Sequence, residues 1–225
     1  MRREILADGV ELMLGDMIEI LPTLGEFDAC VTDPPYGIGA SAGVGKYGRI
    51  KVSDDLQWDD ETPSPRAFEL IATCSRYQIV WGMNYFQLPP SRKYLVWDKG
   101  AGFKNRDFAE CELAWCSWDG NAKTLQRDPL AAGDYRGKEH PTQKPVELMK
   151  WCIDQLPADV GTILDPFMGS GTTGVAAVKK GKAFYGIERE PKYFDIAVRR
   201  IEDALKRPDL FIPAPQPKPK QESLI

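Results

Sequence analysis

The sequence predicts an α/β protein built on a mostly parallel sheet with helices on both faces. Segments that read as strands alternate along the chain with segments that read as helices. A glycine-rich turn, Gly169-Ser170-Gly171-Thr172-Thr173-Gly174, follows one strand and opens a helix. The length of 225 residues allows one sizeable core of this kind and little more.

In chain order, Glu11 to Leu14 reads as a strand ending at Gly15-Asp16, followed by a short helix to about Leu21. Phe27 to Thr32 is the next strand, closed by Asp33. Residues 37–60 run Gly-rich and then acidic without clear periodicity, and are expected to form a mobile loop. Within them, residues 40–47 nearly spell a phosphate loop but fail at Ala40 and Tyr47. Pro65 to Ser75 is a helix with proline in its first turn. Strands are expected at Tyr77 to Trp81, Tyr94 to Trp97, Cys111 to Ser117 and Ala122 to Gln126. Val146 to Leu156 is a helix, Thr162 to Leu164 a strand, Thr172 to Lys180 a helix, Ala183 to Ile187 a strand and Lys192 to Lys206 the last helix. Past Arg207, five prolines crowd positions 208 to 219. Residues 208–225 are therefore expected to be extended or disordered, which leaves residues 1–207 as one domain.

The most informative feature is Asp33-Pro34-Pro35-Tyr36 at the end of the Phe27 to Thr32 run. Proline has no N–H and a fixed φ, so the turn presents bare carbonyl acceptors beside a carboxylate. Such a turn suits an amino group that must give its protons to acceptors and attack with its lone pair. Tyr36 offers a face on which a flat ring stacks.

These residues resemble the catalytic motif of the beta class of DNA amino-methyltransferases. The likeness extends to Asp165-Pro166-Phe167-Met168-Gly169-Ser170-Gly171-Thr172-Thr173 and to His140-Pro141-Thr142-Gln143-Lys144-Pro145, and runs from about Asp8 to Leu205. The catalytic motif precedes the cofactor loop, the permuted order of that class. The resemblance implies a Rossmann-like methyltransferase fold with seven strands, S-adenosylmethionine as cofactor, and transfer of its methyl group to adenine N6 or cytosine N4. It also implies double-stranded DNA as partner, a homodimer as a common assembly, and a cytoplasmic, nucleoid-associated setting in a bacterial or phage-infected cell.

The glycine turn also fits a dinucleotide fingerprint, with Glu188 nineteen residues past Gly169. A nicotinamide-dependent oxidoreductase is thus a rival reading. Against it, Asp165 to Met168 intervenes before the first glycine and holds an acid near the ligand. A carboxylate repels a pyrophosphate but attracts a sulfonium or an α-ammonium group. Only 37 residues follow Glu188, too few for a separate substrate domain. On the methyltransferase reading, Gly169 and Gly171 admit the ligand to the backbone, with Ser170 and Thr172 beside them. Glu188 accepts the ribose hydroxyls, while Asp165 and Phe167 lie along the methionine and ribose. The resemblance implies that Asp16 takes the adenine amino group of the cofactor, and that Thr142 and Lys144 contact its carboxylate. The competing roles are a surface turn acid for Asp16, a helix cap for Thr142 and a solvated charge for Lys144.

For the reaction, Asp33 and the Pro34 carbonyl would accept from the target amino group, Pro35 fixes the turn, and Tyr36 stacks on an extruded base. Trp97-Asp98-Lys99 resembles a family segment near that pocket, and Asn84 lies in another segment that resembles the family; Trp97 is either a second ring wall or a core residue. Net charge is −4, so basic residues must be segregated onto one face to meet DNA. The candidates are Lys46, Arg49 and Lys51; Lys99, Lys104 and Arg106; Lys123 and Arg127; and Arg136 and Lys138. Residues 100–139 are the remaining candidate for a small target-recognition insert.

Adenine and cytosine targets share this geometry; the family resemblance, through Asp at the first motif position, implies adenine, with cytosine N4 as the alternative. A glutamine side-chain methyltransferase would carry Asn-Pro-Pro-Tyr instead, and a non-catalytic DNA-binding regulator would not need intact motifs. No apolar run of 18 residues predicts a membrane span, and no signal peptide is expected at Met-Arg-Arg-Glu. Five cysteines and one histidine make a poor metal set, so no metal is expected, and the cysteines read as reduced and buried.

Overall fold

The computed structural model describes residues 2–38, 61–105, 109–134, 136 and 143–207. The expectations for the 39–60 part of the loop, the 208–225 tail, Thr142, His140, Lys46, Arg49, Lys51, Arg106 and Lys138 lie outside these residues.

Among the described residues nine strands form one sheet: β1 (Arg2–Ala7), β2 (Val10–Leu14), β3 (Phe27–Thr32), β4 (Ser75–Trp81), β5 (Tyr94–Asp98), β6 (Cys111–Cys116), β7 (Lys123–Gln126), β8 (Thr162–Asp165) and β9 (Ala183–Glu188). Their spatial order is β1-β2-β9-β8-β3-β4-β6-β5-β7. The run β2, β9, β8, β3, β4 is parallel throughout. β6 enters antiparallel to both β4 and β5. The fold is thus the Rossmann-like α/β class expected. Two strands beyond the seven extend its ends. One is β1, a hairpin partner of β2 across Asp8-Gly9; the other is β7, which pairs with β5. Asp-Gly is a strong hairpin signal, and here Gly9 supplies the positive φ, at +70, that the turn needs.

Neighbouring residues of the buried strands face opposite layers. Ala29 and Val31 of β3, Ile163 of β8 and Phe184 of β9 join one apolar cluster with α3 (Val146–Ile153), α4 (Thr172–Lys179) and α5 (Pro191–Lys206). Cys30, Leu164 and Ile187 join the other cluster with α1 (Met17–Ile20) and α2 (Pro65–Cys74). Buried on both faces, these parallel strands read as near-continuous apolar runs. Helix α5 buries Phe194, Ala197, Ile201 and Ala204, a stripe at helical spacing. The Asp28 carboxylate locks β3 to the start of β8, accepting from the backbone N–H of Gly161 and of Thr162, both at 2.8 Å, and from the Thr162 hydroxyl at 3.0 Å.

Residues 100–139, expected as a recognition insert, supply β6 and β7 to the sheet itself. Their described non-sheet parts include the turn at Ala101–Phe103, the connection at 117–122 and the segment after Gln126.

Candidate active site

Because β2, β9, β8, β3 and β4 are parallel, their carboxyl ends share one rim, where ligands of open α/β sheets sit. That rim carries Asp16, Glu188, the turn after Asp165, Asp33 and Gly82. The tips of β3 and β8 are tied directly: the Thr32 hydroxyl donates to Asp165 Oδ1 at 2.7 Å, in the interior. Asp33 begins one residue later, so the two motifs meet although over 130 residues separate them. A concavity at the opposite rim, lined by Glu26, Phe27, Cys74, Arg76 and Gln78, holds none of the motif residues.

On the glycine side, Glu188 orders the loop, accepting from Gly169 N–H at 2.9 Å and from Glu190 N–H at 2.8 Å. Burial pushes its carboxyl up to about 7 against those bonds, and pushes Asp165 up to about 6. A Cβ on Gly169 would meet nothing within 4 Å, so that face of the loop is open. Gly171 differs: with φ +78 it caps α4, and a Cβ would lie 2.9 Å from the Cβ of Ala197 on α5. Its glycine therefore serves helix packing rather than ligand access. Ser170 is buried; its hydroxyl donates to Gln143 Oε1 at 3.2 Å, and its carbonyl accepts from Arg200 Nη1 at 2.5 Å. The same guanidinium nitrogen reaches Ser170 Oγ at 2.9 Å and Thr172 Oγ1 at 3.2 Å. Phe167 donates its N–H to Asp165 Oδ1 at 3.1 Å and packs partly buried on the second apolar cluster. Asp16 is exposed and caps α1, its Oδ1 accepting from Ile18 N–H at 2.7 Å. It nonetheless adjoins Glu188, since Gly15 N–H donates to the Glu188 carbonyl at 2.9 Å.

On the catalytic side, Asp33 Oδ1 accepts from the Tyr36 hydroxyl at 2.6 Å, and Oδ2 pairs with Lys144 Nζ at 2.6 Å. Lys144 Nζ also pairs with Glu112 Oε2 at 3.0 Å, and Glu112 Oε1 pairs with Lys99 Nζ at 2.6 Å. Both lysine side chains are under a tenth exposed, at 6% and 8%. Burial pushes the Asp33 carboxyl up while Lys144 pulls it down, leaving it above the ordinary range. Burial works against Glu112 too, yet Lys144 and Lys99 draw it down to about 2. The Tyr36 ring stacks on Tyr85, with centroids 4.7 Å apart and planes 12° apart, and meets Phe86 edge-on at 6.1 Å. It also lies against Gly82, whose φ of +77 only glycine adopts without strain.

Lys144 and Lys99 sit elsewhere than the sequence suggested, and Trp97 takes the second of its two expected places. Lys144, expected at the cofactor carboxylate, lies on Asp33; among the described residues of that segment, its neighbour Gln143 touches the glycine loop. Trp97 is 2% exposed with its indole N–H bonded to the Arg127 carbonyl at 2.9 Å, so it is a core ring rather than a pocket wall. Lys99 is buried against Glu112 rather than presented to a backbone phosphate. Of the basic clusters, Arg127 is held by both oxygens of Asp134 at 2.7 Å, while Lys104, Lys123 and Arg136 are exposed. Sequence reasoning missed Glu112, Arg200, Tyr85 and Gly82. The positive-φ glycine straight after a strand was the one local signal among them.

Residues 66–199, more than half of the chain, match the N6/N4 methyltransferase family model, described as DNA methylase. The type II methyltransferase M2.MboI of Moraxella bovis is 30% identical over 70% of this chain and 52% of its own length. M.ScaI of Streptomyces caespitosus is 28% identical over 86% of this chain and 81% of its own. The chain spans about half the length of M2.MboI and of two other curated relatives it matches, M2.DpnII of Streptococcus pneumoniae and M2.LlaDCHI of Lactococcus lactis. Among solved structures, M1.HpyAVI in complex with SAM superposes with a TM-score of 0.56 at 21% identity, over 84% of this chain and 98% of that one. The cytosine-N4-specific PvuII DNA methyltransferase does so with a TM-score of 0.51 at 17% identity, over 87% and 91%. The chain belongs to the family of N6-adenine and N4-cytosine DNA methyltransferases.

Proposed function

We propose that the protein transfers a methyl group from S-adenosylmethionine to N6 of an adenine flipped out of double-stranded DNA, acting in the cytoplasm. The observation that carries this reading is the Thr32–Asp165 bond, which sets the Asp33-Pro34-Pro35-Tyr36 turn beside the glycine loop. The rim fits the cofactor. Open space faces Gly169, and two acids, the buried Asp165 and the half-buried Glu188, line the loop where a sulfonium and ribose hydroxyls need acceptors. Asp16 stands next to Glu188. When bound, the cofactor supplies an electrophilic methyl whose leaving group is a neutral thioether.

The chain's own residues do the rest. A carboxylate offers about four lone-pair sites, and Asp33 uses two, so it can still accept an amino N–H. The buried Pro34 adds a carbonyl acceptor, with Pro35 contributing no competing N–H. Both bonds favour a pyramidal nitrogen, and the fixed carboxylate stabilises the charge that grows on it, an effect worth several kcal/mol. Asp33, its carboxyl raised by burial, takes the proton the nitrogen sheds. Tyr36 provides the stacking ring.

The test is incubation with methyl-labelled S-adenosylmethionine and unmethylated genomic DNA, followed by digestion to nucleosides. Labelled N6-methyladenine is expected. Labelled N4-methylcytosine would instead support the second reading, favoured by the fold likeness to the cytosine-N4-specific PvuII enzyme. No label in either nucleoside overturns the proposal. In the same assay Asp33→Ala should abolish transfer while calorimetric cofactor binding persists; sedimentation of the active protein reports whether it works as a homodimer.

A further inference from the structure

Lys99, Glu112, Lys144 and Asp33 form one chain of contacts at 2.6, 3.0 and 2.6 Å, and it ends on the catalytic turn. Glu112 is its centre, supplied by β6 opposite Trp97 of β5, and each of its oxygens holds one ammonium. Its side chain is 21% exposed. Buried ion pairs are seldom worth their desolvation, and apolar replacements are often as stable. Stability alone is thus a poor reason for three further charges beneath Asp33 of the catalytic motif.

We propose that Glu112 is a positioning residue for methyl transfer: it seats Lys144 on Asp33 and cancels the charge of the two buried lysines. The inference rests on the methyltransferase reading. Positive charge grows on the target nitrogen, next to a sulfonium, and must meet a negative potential. Lys144 touches Asp33 and by itself would annul that potential. With Lys99 added and Glu112 removed, the cluster would carry one net positive charge. With Glu112 present it sums to zero, and the carboxylate of Asp33 is the member at the turn. An unbalanced charge about one side-chain length away, at an effective dielectric near ~20, changes a rate by about ten- to a hundredfold.

The experiment measures label transfer to unmethylated genomic DNA, with kcat and the KM for S-adenosylmethionine, on the full chain and three variants. Glu112→Gln should lose about ten- to a hundredfold in kcat with the cofactor KM within about threefold. Glu112→Asp, which keeps the charge, should regain part of the loss. Glu112→Gln combined with Lys99→Met returns the cluster to neutrality, and the introduced thioether side chain would lie on the Trp97 and Phe103 rings that Lys99 Nζ now faces at 5.2 and 5.4 Å. This double variant should recover about tenfold over the single. A single variant with kcat near wild type, or a double no better than the single, overturns the inference. Where Glu112→Gln fails to melt cooperatively, the double variant decides alone: turnover within about tenfold of wild type supports the charge argument, and a larger loss overturns it. An inactive wild-type chain is a different result, which sinks the methyltransferase reading itself.

Discussion

Gly82→Ala reaches the catalytic turn without altering any residue in it. The new Cβ would lie 2.7 Å from Cδ1 and 2.8 Å from Cζ of Tyr36, and closer still to Cε1. Carbon atoms in contact sit about 3.5–4.0 Å apart, so the ring must retreat by roughly 1 Å or more. It cannot then keep both its 2.6 Å bond to Asp33 and its stack on Tyr85. Alanine at φ +77 adds about 1–2 kcal/mol of backbone strain, and overpacking about 1–3. A loss of about 2–5 kcal/mol leaves most domains of 5–15 kcal/mol folded, with Tm lower by about 4–20 °C. A displacement of about 1 Å at a reacting centre is worth on the order of a hundredfold in rate. We therefore expect kcat in the label-transfer assay to fall about a hundredfold, with cofactor Kd by calorimetry within about threefold, because Glu188 and the glycine loop stand on other strands. Full turnover beside a lowered Tm would refute the reasoning, since Tyr36 would then act from a displaced position. Equal loss of turnover and cofactor binding would refute it differently, by showing that the damage spreads across the rim.

Arg200→Met removes the guanidinium bonds to Ser170 and Thr172, and should weaken cofactor binding by about tenfold in calorimetry while saturated kcat changes little. Asp28→Ala strips the acceptor from three donors at the start of β8 and should lower urea stability by about 1–3 kcal/mol without changing the site. Gly161 and Thr162 hold the Asp28 carboxyl below its ordinary value, so this stabilisation is present above the unfolded carboxyl's range and fades as pH falls through the lowered value; the variant should show a weaker acid decline. Glu188 at about 7 gives a pH dependence of its own: below that value it is protonated, and cofactor Kd should rise by up to about tenfold per pH unit. The raised values of Glu188 and Asp165 act on folding in the opposite sense, contributing stability that is full below about pH 4 and lost as pH rises through about 6 to 7.

What the sequence made legible was local. The strands β3, β4 and β9 and the helices α2, α4 and α5 lie within a residue or two of their expected bounds, because their period, prolines and glycines are written in adjacent residues. The hairpin strand β1 escaped notice although Asp8-Gly9 announces it; half of its residues are charged, and its apolar positions hardly alternate. Glu112 had no such signal. It sits in Cys-Glu-Leu-Ala-Trp-Cys, where a lone acid reads as the solvent side of a strand. Only the antiparallel entry of β6 beside β4 carries it to the rim, below Lys144 and Asp33. Lys144 shows the same gap: a helix-start lysine suggests a nearby anion, but 108 residues separate it from Tyr36, and no spacing rule chooses between two anions at one rim.

That rim also explains why the order of the motifs along the chain is immaterial to the chemistry. β3 and β8 are neighbours through Ala29 opposite Ile163 and Cys30 opposite Leu164, and parallel neighbours deliver their tips to the same side whichever comes first. The tips are then held at two levels. Below, Thr32 bonds Asp165 in the interior. Above, two consecutive residues reach in different directions. Gln143 accepts from Ser170 of the glycine loop, and Lys144 pairs with Asp33 of the catalytic turn. A shift of either motif against the other must break one buried bond or move that dipeptide. The separation between acceptor turn and glycine loop is therefore fixed by packing before any ligand arrives, as alignment of a nucleophile with a transferred group requires.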